Sequence, residues 1–134
     1  MNMSRRTYAG IPEEFAEYKD AKVVILLVPF DCTSTWRKGA DKGPEAFLVA
    51  SENMEIYDLE SDTEVYRHGI WLSEFLECNP DPAKMTLQVK SRADKYFSDN
   101  KIFTMIGGEH SVSIGAIMAA EGKFSDLSVL QLDT

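Results

Sequence analysis

The sequence predicts an α/β fold in which helices cover both faces of a parallel sheet, a three-layer αβα arrangement. Three short runs are apolar and rich in β-branched residues without polar alternation, as in strands buried on both faces. Helical patterns lie between them, and strands that alternate with helices favour right-handed crossovers and a parallel sheet. Apolar residues make up 44% of the 134 positions, enough for the core of a single domain, 1–134.

The first third of the chain contains an arm, a strand and a helix. Residues 1–21 read as an N-terminal arm, and 22–28 ("KVVILLV") as the first buried strand. The strand stops at Pro29, and a loop rich in helix-breaking residues follows. The Gly43-Pro44 pair opens a helix to about residue 53, because proline is well tolerated at the first helical position.

The middle of the chain carries two weaker strand signals and one clear helix. Residues 55–59 and 65–71 have strand-like composition. Asp81 then suits the N-cap of a helix and Pro82 its first position. Apolar residues follow at helical spacing with charges between them, and the helix is expected to end at 98–100.

The last third repeats the strand–helix–strand pattern. Residues 102–106 are the second buried strand, and Ser111 is expected to cap a helix over 112–120. Gly122 fits the position just after that helix. Residues 128–132 ("SVLQL") are predicted as the third buried strand.

Charge and hydropathy exclude several partner classes. The formal net charge is −8, from 14 basic and 22 acidic residues, which argues against nucleic acid and is compatible with a cationic small molecule. The N-terminus does not resemble a signal peptide, and the longest apolar run, 23–30, is too short to cross a bilayer. We therefore expect a cytoplasmic protein without a membrane partner, in which Cys32 and Cys78 are reduced. Packing is the favoured role for Cys32, with a nucleophilic role as the alternative.

Four acidic or imidazole side chains follow predicted strands. Asp31 follows the first strand, Glu109 and His110 follow the second, and Asp133 follows the third. Ligands of open α/β sheets bind beyond the carboxyl ends of the strands, so these side chains fall on the functional rim. An imidazole beside carboxylates fits a divalent metal such as manganese, zinc or iron.

Each of these residues also has a plainer interpretation. His110 precedes a helix and could only pack or hydrogen-bond locally. Asp31 is better explained as a turn-forming residue, and His68 as a structural residue inside a strand. Gly107 and Gly108 fit a tight exit from a strand, but no dinucleotide or P-loop fingerprint is present.

Three segments resemble the ureohydrolases, the arginase and agmatinase family. "GGEHSVSIG" (107–115) is similar to the family's first metal-ligand motif. "VPFDCTSTWRKGADKGPEAFLVAS" (28–51) is similar to its N-terminal strand, loop and helix, and "SVLQLDT" (128–134) to the lead-in of its second metal motif. The matches occur in the family's order over most of 22–134, and they lean toward the agmatinase branch.

The resemblance implies a cofactor and a set of site residues. The family holds a binuclear Mn²⁺ centre that hydrolyses a small cationic guanidino substrate, such as agmatine, to urea and an amine. By motif position His110 and Asp133 match metal ligands, and Gly107, Gly108 and Ser111 match supporting positions. Family members are generally oligomeric, so a homo-oligomer is possible.

The resemblance also implies that the chain is an N-terminal fragment that is inactive by itself. The sequence stops two residues into the second metal motif. In the family's eight-stranded sheet, two late strands lie between the strands matching 102–106 and 128–132. The fragment would therefore be a truncation, repair its sheet by association, or move the last strand beside its predecessor.

Two kinds of alternative function stay open. Arginase, guanidinobutyrase and formimidoylglutamase share the family's fold and differ in substrate. A non-catalytic α/β module that binds a partner through its exposed sheet edge is the alternative from a different class.

Overall fold

The computed structural model describes residues 6–132, whose centre is a parallel sheet of three strands in the order β2-β1-β3. Strand β1 is Val23–Val28, β2 is Ile70–Phe75 and β3 is Ile102–Gly107. Both neighbours run parallel to β1, in register from Val23. The predicted parallel sheet is confirmed, and its most apolar strand takes the central position.

Strand β1 forms the core by alternating its side chains between the two faces of the sheet. Val24, Leu26 and Val28 face one way, toward Met85 and Val89 of helix α2 (Pro82–Ser98). Ile25 and Leu27 face the other way, toward Leu48 of helix α1 (Gly43–Ser51). Helix α3 (Ser113–Lys123) packs beside α2. The predicted three layers are therefore confirmed.

A side chain replaces one ladder hydrogen bond between β1 and β2. The register shifts between Ile25 and Leu27, and there the N–H of Leu27 donates to Oγ of Ser73 over 3.1 Å. The Ser73 hydroxyl in turn donates to the carbonyl of Glu74 over 2.7 Å. The buried irregularity thus leaves its polar groups paired, as burial requires.

Helix α2 begins as the sequence predicts. The Asp81 carboxylate accepts hydrogen bonds from the N–H groups of Ala83 and Lys84 at 2.9 and 3.4 Å. It thereby satisfies two of the donors that a helix start leaves free.

The strand prediction for 55–59 is wrong. The Asp58 carboxylate accepts from the N–H groups of Glu60 and Ser61, and the backbones of Asp58 and Thr63 form an isolated antiparallel bridge. These local bonds close a turn and compete with any extended pairing.

The strand prediction for 65–71 is partly wrong. Val65–His68 is a 3-10 helix, and β2 begins at Ile70 after Gly69, whose φ is +82°. A β-carbon at Gly69 would lie 2.6 Å from Cα of Ala21, so the chain reaches β2 through a position that only glycine fits.

The end of the described chain differs from the prediction in three ways. Helix α3 starts at Ser113 without a side-chain cap, and Gly122 lies inside it. Residues 128–132 are not a strand, and Leu130 and Leu132 are 84% and 88% exposed. An apolar segment becomes a strand only when its backbone pairs with a neighbour, and within residues 6–132 this segment does not pair with the free edge of β3. Of the three alternatives given for this segment, a move of the last strand beside its predecessor is not seen.

No helix among residues 6–132 combines the length and apolarity that crossing a lipid bilayer requires.

The contact between α2 and α3 predicts opposite effects for alanine at two glycines of α3. A β-carbon at Gly115 would meet the carbonyl of Thr86 and lie 2.9 Å from N of Lys90, whereas one at Gly122 would meet nothing within 4 Å. We expect Gly115→Ala to lower the free energy of unfolding by about 2 kcal/mol through overpacking. Gly122→Ala should raise it by about 0.5 kcal/mol, because alanine favours a helix over glycine. Urea unfolding measures both, and a stabilising Gly115→Ala would contradict the packing described.

Candidate metal centre

The site lies where the chain leaves two neighbouring strands in opposite directions. After β1 the chain continues into α1 on one face of the sheet, and after β3 it continues into α3 on the face that α2 covers. The two loops therefore start side by side at the carboxyl ends of adjacent strands and lead to helices on opposite faces of the sheet. Such a switch point is where open α/β sheets bind ligands.

The two loops meet through their backbones. The N–H of Gly108 donates to the carbonyl of Val28 over 3.0 Å, and that of Glu109 donates to the carbonyl of Phe30 over 3.1 Å. A β-carbon at Gly108 would collide with the Phe30 backbone, and one at Gly107 with the side chain of Val112. Close approach thus gives a physical reason for both glycines.

His110 projects from this junction. It begins the 3-10 turn His110–Val112 between β3 and α3, and its side chain is exposed. The ring borders an open groove of about 580 Å³ whose other wall is formed by residues 129–132. Within residues 6–132 no hydrogen bond engages the imidazole. It is therefore accessible to an ion or a ligand.

The carboxylate of Glu109 holds the two loops together. It accepts from the N–H of Thr33 over 3.0 Å, from the Thr33 hydroxyl, and from the Ser111 hydroxyl over 2.6 Å. Burial opposes ionisation of this carboxyl, but the hydrogen bonds from Ser111 and Thr33 outweigh it and lower the pKa of Glu109. Glu109 is thus an ionised brace between the loops. The capping role predicted for Ser111 is wrong, because its hydroxyl is turned toward this carboxylate instead of a helix N–H.

Asp31 organises the loop after β1. Its carboxylate accepts from the Ser34 hydroxyl and from the N–H groups of Gly39 and, over 3.1 Å, Ala40. The Ser34 hydroxyl is the main cause that lowers the pKa of Asp31, followed by the two backbone groups. The turn-forming role predicted for Asp31 is confirmed.

The structure brings three of the four rim residues predicted from sequence to one edge. Asp31, Glu109 and His110 lie at the carboxyl ends of β1 and β3, whereas Asp133 lies outside the described residues. Among residues 6–132, no group of three His, Cys, Asp or Glu side chains could hold a metal ion. Of Asp31, Glu109 and His110, only His110 has a side chain without a hydrogen-bond partner within residues 6–132.

His68 lies at the other end of the sheet. Its backbone carbonyl accepts from the N–H of Lys22, just before β1 starts, and its Nδ1 lies 3.4 Å from Nζ of Lys22. The expected structural role agrees with this position, although the residue ends a 3-10 helix and not a strand.

The sequence interpretation missed Thr33. Both its N–H and its hydroxyl bind Glu109, which lies 76 positions later in the chain. No local pattern links residues so distant, so only the folded chain reveals this bond.

Comparison with known proteins decides the family. A sequence model of the arginase family matches residues 21–134. The chain belongs to the arginase family. Members of this family are hydrolases that generally depend on metal ions.

Individual members of the arginase family support the assignment. The N(1)-aminopropylagmatine ureohydrolase of Synechocystis sp. is 34% identical over 97% of this chain and 47% of its own length. That of Thermus thermophilus is 31% identical over 90% of this chain and 42% of its own length. The crystal structure of agmatine ureohydrolase of Thermoplasma volcanium superposes with a TM-score of 0.73 at 33% identity, covering 77% of this chain and 35% of that one. The chain thus spans about half the length of the curated relatives it matches.

The hydrogen bonds of Asp31 predict a pH dependence of stability. Because the folded state holds the pKa of this carboxyl below its usual value, the unfolded state takes up the proton first as the pH falls. The contribution of Asp31 is therefore present above about pH 4 and is lost as the pH drops through the lower folded-state pKa. We expect Asp31→Asn to be less stable at neutral pH and to lose less stability on acidification, as measured by urea unfolding over a pH series.

Asp41→Asn is the matched control, because it removes the same charge from the adjacent 3-10 turn Ala40–Lys42. It should retain the acid-dependent loss of the unchanged chain. Equal pH profiles for the two variants would show that Asp31 has no special role.

Proposed function

We propose that this chain is the N-terminal part of a manganese-dependent ureohydrolase of the agmatinase type, which hydrolyses agmatine to putrescine and urea. The observation that supports this most directly is the exposed imidazole of His110, at the switch point of an arginase-family fold. Three properties favour His110 as a ligand: its position in the motif, its accessibility, and its lack of a hydrogen-bonding partner within residues 6–132.

The residues present fit part of such a centre. Imidazole nitrogen and carboxylate oxygen suit Mn²⁺, and we propose His110 and Asp133 as ligands. The groove beside His110 is bordered by residues 129–132, which directly precede Asp133 in the sequence. Bound divalent ions would supply Lewis-acid activation of water.

The other rim residues shape the site. Gly108 lets the two loops lie close together, Gly107 leaves room for the Val112 side chain, and Ser111 binds the Glu109 carboxylate next to His110. We infer supporting roles for these residues, because they fix the backbone from which the imidazole projects. The net charge of −8 favours the approach of a cationic guanidino substrate.

We propose that the 134 residues alone are inactive. The relatives are about twice as long, and two ligands cannot hold two metal ions. The remaining ligands and the groups that choose the substrate would come from a further part of the same domain. A cytoplasmic location and a homo-oligomeric state complete this proposal.

N(1)-aminopropylagmatine is the second candidate substrate. Two relatives that are 34% and 31% identical are N(1)-aminopropylagmatine ureohydrolases, which favours this compound. Arginine, guanidinobutyrate and formiminoglutamate would require the same water chemistry. Arginine and guanidinobutyrate share the guanidinium group of agmatine, whereas formiminoglutamate carries a formimino group in its place.

Metal titration of two histidine variants tests the site. We expect the chain to bind Mn²⁺ weakly. Binding is measured as the loss of the electron paramagnetic resonance signal of free Mn²⁺. His110→Ala should abolish that binding, because it removes the accessible imidazole of the rim. His68→Ala removes the chain's other histidine, near the amino end of β1, and should leave binding unchanged. Unchanged binding in His110→Ala would refute the ligand assignment.

The proposed function is tested by a urea-release assay on the protein encoded by the full reading frame that contains this chain. We expect His110→Ala to reduce turnover of agmatine about a hundredfold or more, measured as urea release. Parallel assays with agmatine and N(1)-aminopropylagmatine separate the two substrates. An extended chain that binds Mn²⁺ but releases urea from neither compound would contradict the proposed reaction while leaving the metal site intact.

A further inference from the structure

The two cysteines of the chain leave neighbouring strands at the same edge of the sheet. Cys32 follows β1 and Cys78 follows β2. These strands are paired up to Leu27 and Phe75, and the N–H of Leu76 still donates to the carbonyl of Leu27 over 2.8 Å. Paired strands are about 4.8 Å apart, so the two segments start close together.

The two thiols face one cavity. Cys32 and Cys78 both line a space of about 340 Å³, together with Phe30, Asp31 and Pro80. Cys32 is exposed and Cys78 is partly buried, so the packing role expected for Cys32 is wrong. Burial raises the pKa of the Cys78 thiol, and the nearby Cys32 raises it further. Each thiol is therefore within electrostatic reach of the other.

Both cysteines lie in segments without regular secondary structure. Cys32 belongs to the loop after β1, and Cys78 to the stretch between β2 and α2. A disulfide requires Cα atoms about 4 to 7 Å apart. Neither segment belongs to a helix or a strand, so a shift toward that distance would act on the hydrogen bonds of flanking residues such as Thr33 and Asn79.

We propose that Cys32 and Cys78 form a reversible dithiol–disulfide pair that reacts with small-molecule disulfides such as oxidised glutathione. The Cys32 thiolate attacks one sulfur of the oxidant, forming a mixed disulfide and releasing one thiol. The Cys78 thiolate then attacks Sγ of Cys32 and releases the second thiol. Two protein thiols lose two protons and two electrons, and the oxidant disulfide is reduced to two thiols.

The disulfide would act on the rim that carries His110. Cys32 lies between Asp31, which organises its loop, and Thr33, which binds the Glu109 carboxylate. A Cys32–Cys78 disulfide would therefore connect the segment after β2 to the loop after β1, whose Thr33 binds the carboxylate of Glu109. The inference rests on the cysteine geometry and does not depend on metal binding or on the proposed reaction.

Peptide mapping after oxidation tests the pair. The reduced chain is incubated with oxidised glutathione, alkylated and digested with trypsin without reduction. The two cysteines fall in separate peptides, 23–37 and 68–84. We expect these peptides to appear linked, about 2 Da below their summed masses, and to separate on reduction. Glutathione left on Cys32 without linkage, or linkage only between two chains, would overturn the proposal.

Two controls show that the fold brings the thiols together. In urea the linkage should form at least about tenfold more slowly, because the unfolded chain no longer holds the thiols near one another. Equal rates in the folded and unfolded chains would overturn the proposal. Cys78→Ser should accumulate glutathione on Cys32, whereas Cys32→Ser should react much more slowly. The reverse order of reactivity would refute Cys32 as the attacking thiol.

Discussion

The closeness of two backbones above the carboxyl ends of β1 and β3 is the constraint on which the rim depends. At Gly108 no side chain fits beneath the Phe30 backbone, and the N–H groups of Gly108 and Glu109 complete bonds to the other loop. Once the loops are this close, Thr33 can reach the Glu109 carboxylate. That bond fixes the point from which His110 projects. The position of the candidate ligand therefore follows from a backbone contact and not from its own side-chain interactions.

The acidic residues of the described rim differ in task from His110, although the sequence places all of them after strands. Asp31 and Glu109 accept hydrogen bonds from backbone N–H and hydroxyl groups, which keep both carboxylates ionised without a neighbouring cation as the main cause. Carboxylates that are satisfied in this way are structural. His110 differs because its ring is exposed and faces a groove. The number of hydrogen bonds to the side chain thus distinguishes the structural residues Asp31 and Glu109 from the candidate ligand His110.

The described sheet leaves apolar residues without cover. Strand β3 pairs with β1 on one side, and Ile102 at its start is 63% exposed. Residues 128–132 are exposed and without regular secondary structure, and residues 129–132 line the groove beside His110. An apolar sheet edge and an apolar tail are surfaces that proteins normally cover. This exposure agrees with the proposal that a further part of the domain completes the sheet.

The sequence by itself determined what depends on local patterns. The strands β1 and β3, the cap at Asp81 and the placement of His110 after a strand all follow from composition and spacing within a few residues. The burial predicted for both strands holds for β1 alone, because β3 lies at an edge of the described sheet and none of its residues is buried. The family resemblance rests on such local motifs, and the arginase-family match confirms it. Only the tertiary structure decided what depends on distant partners. Residues 128–132 do not form a strand because their backbone does not pair with the free edge of β3, and the bonds between Thr33 and Glu109 join segments that no local pattern connects.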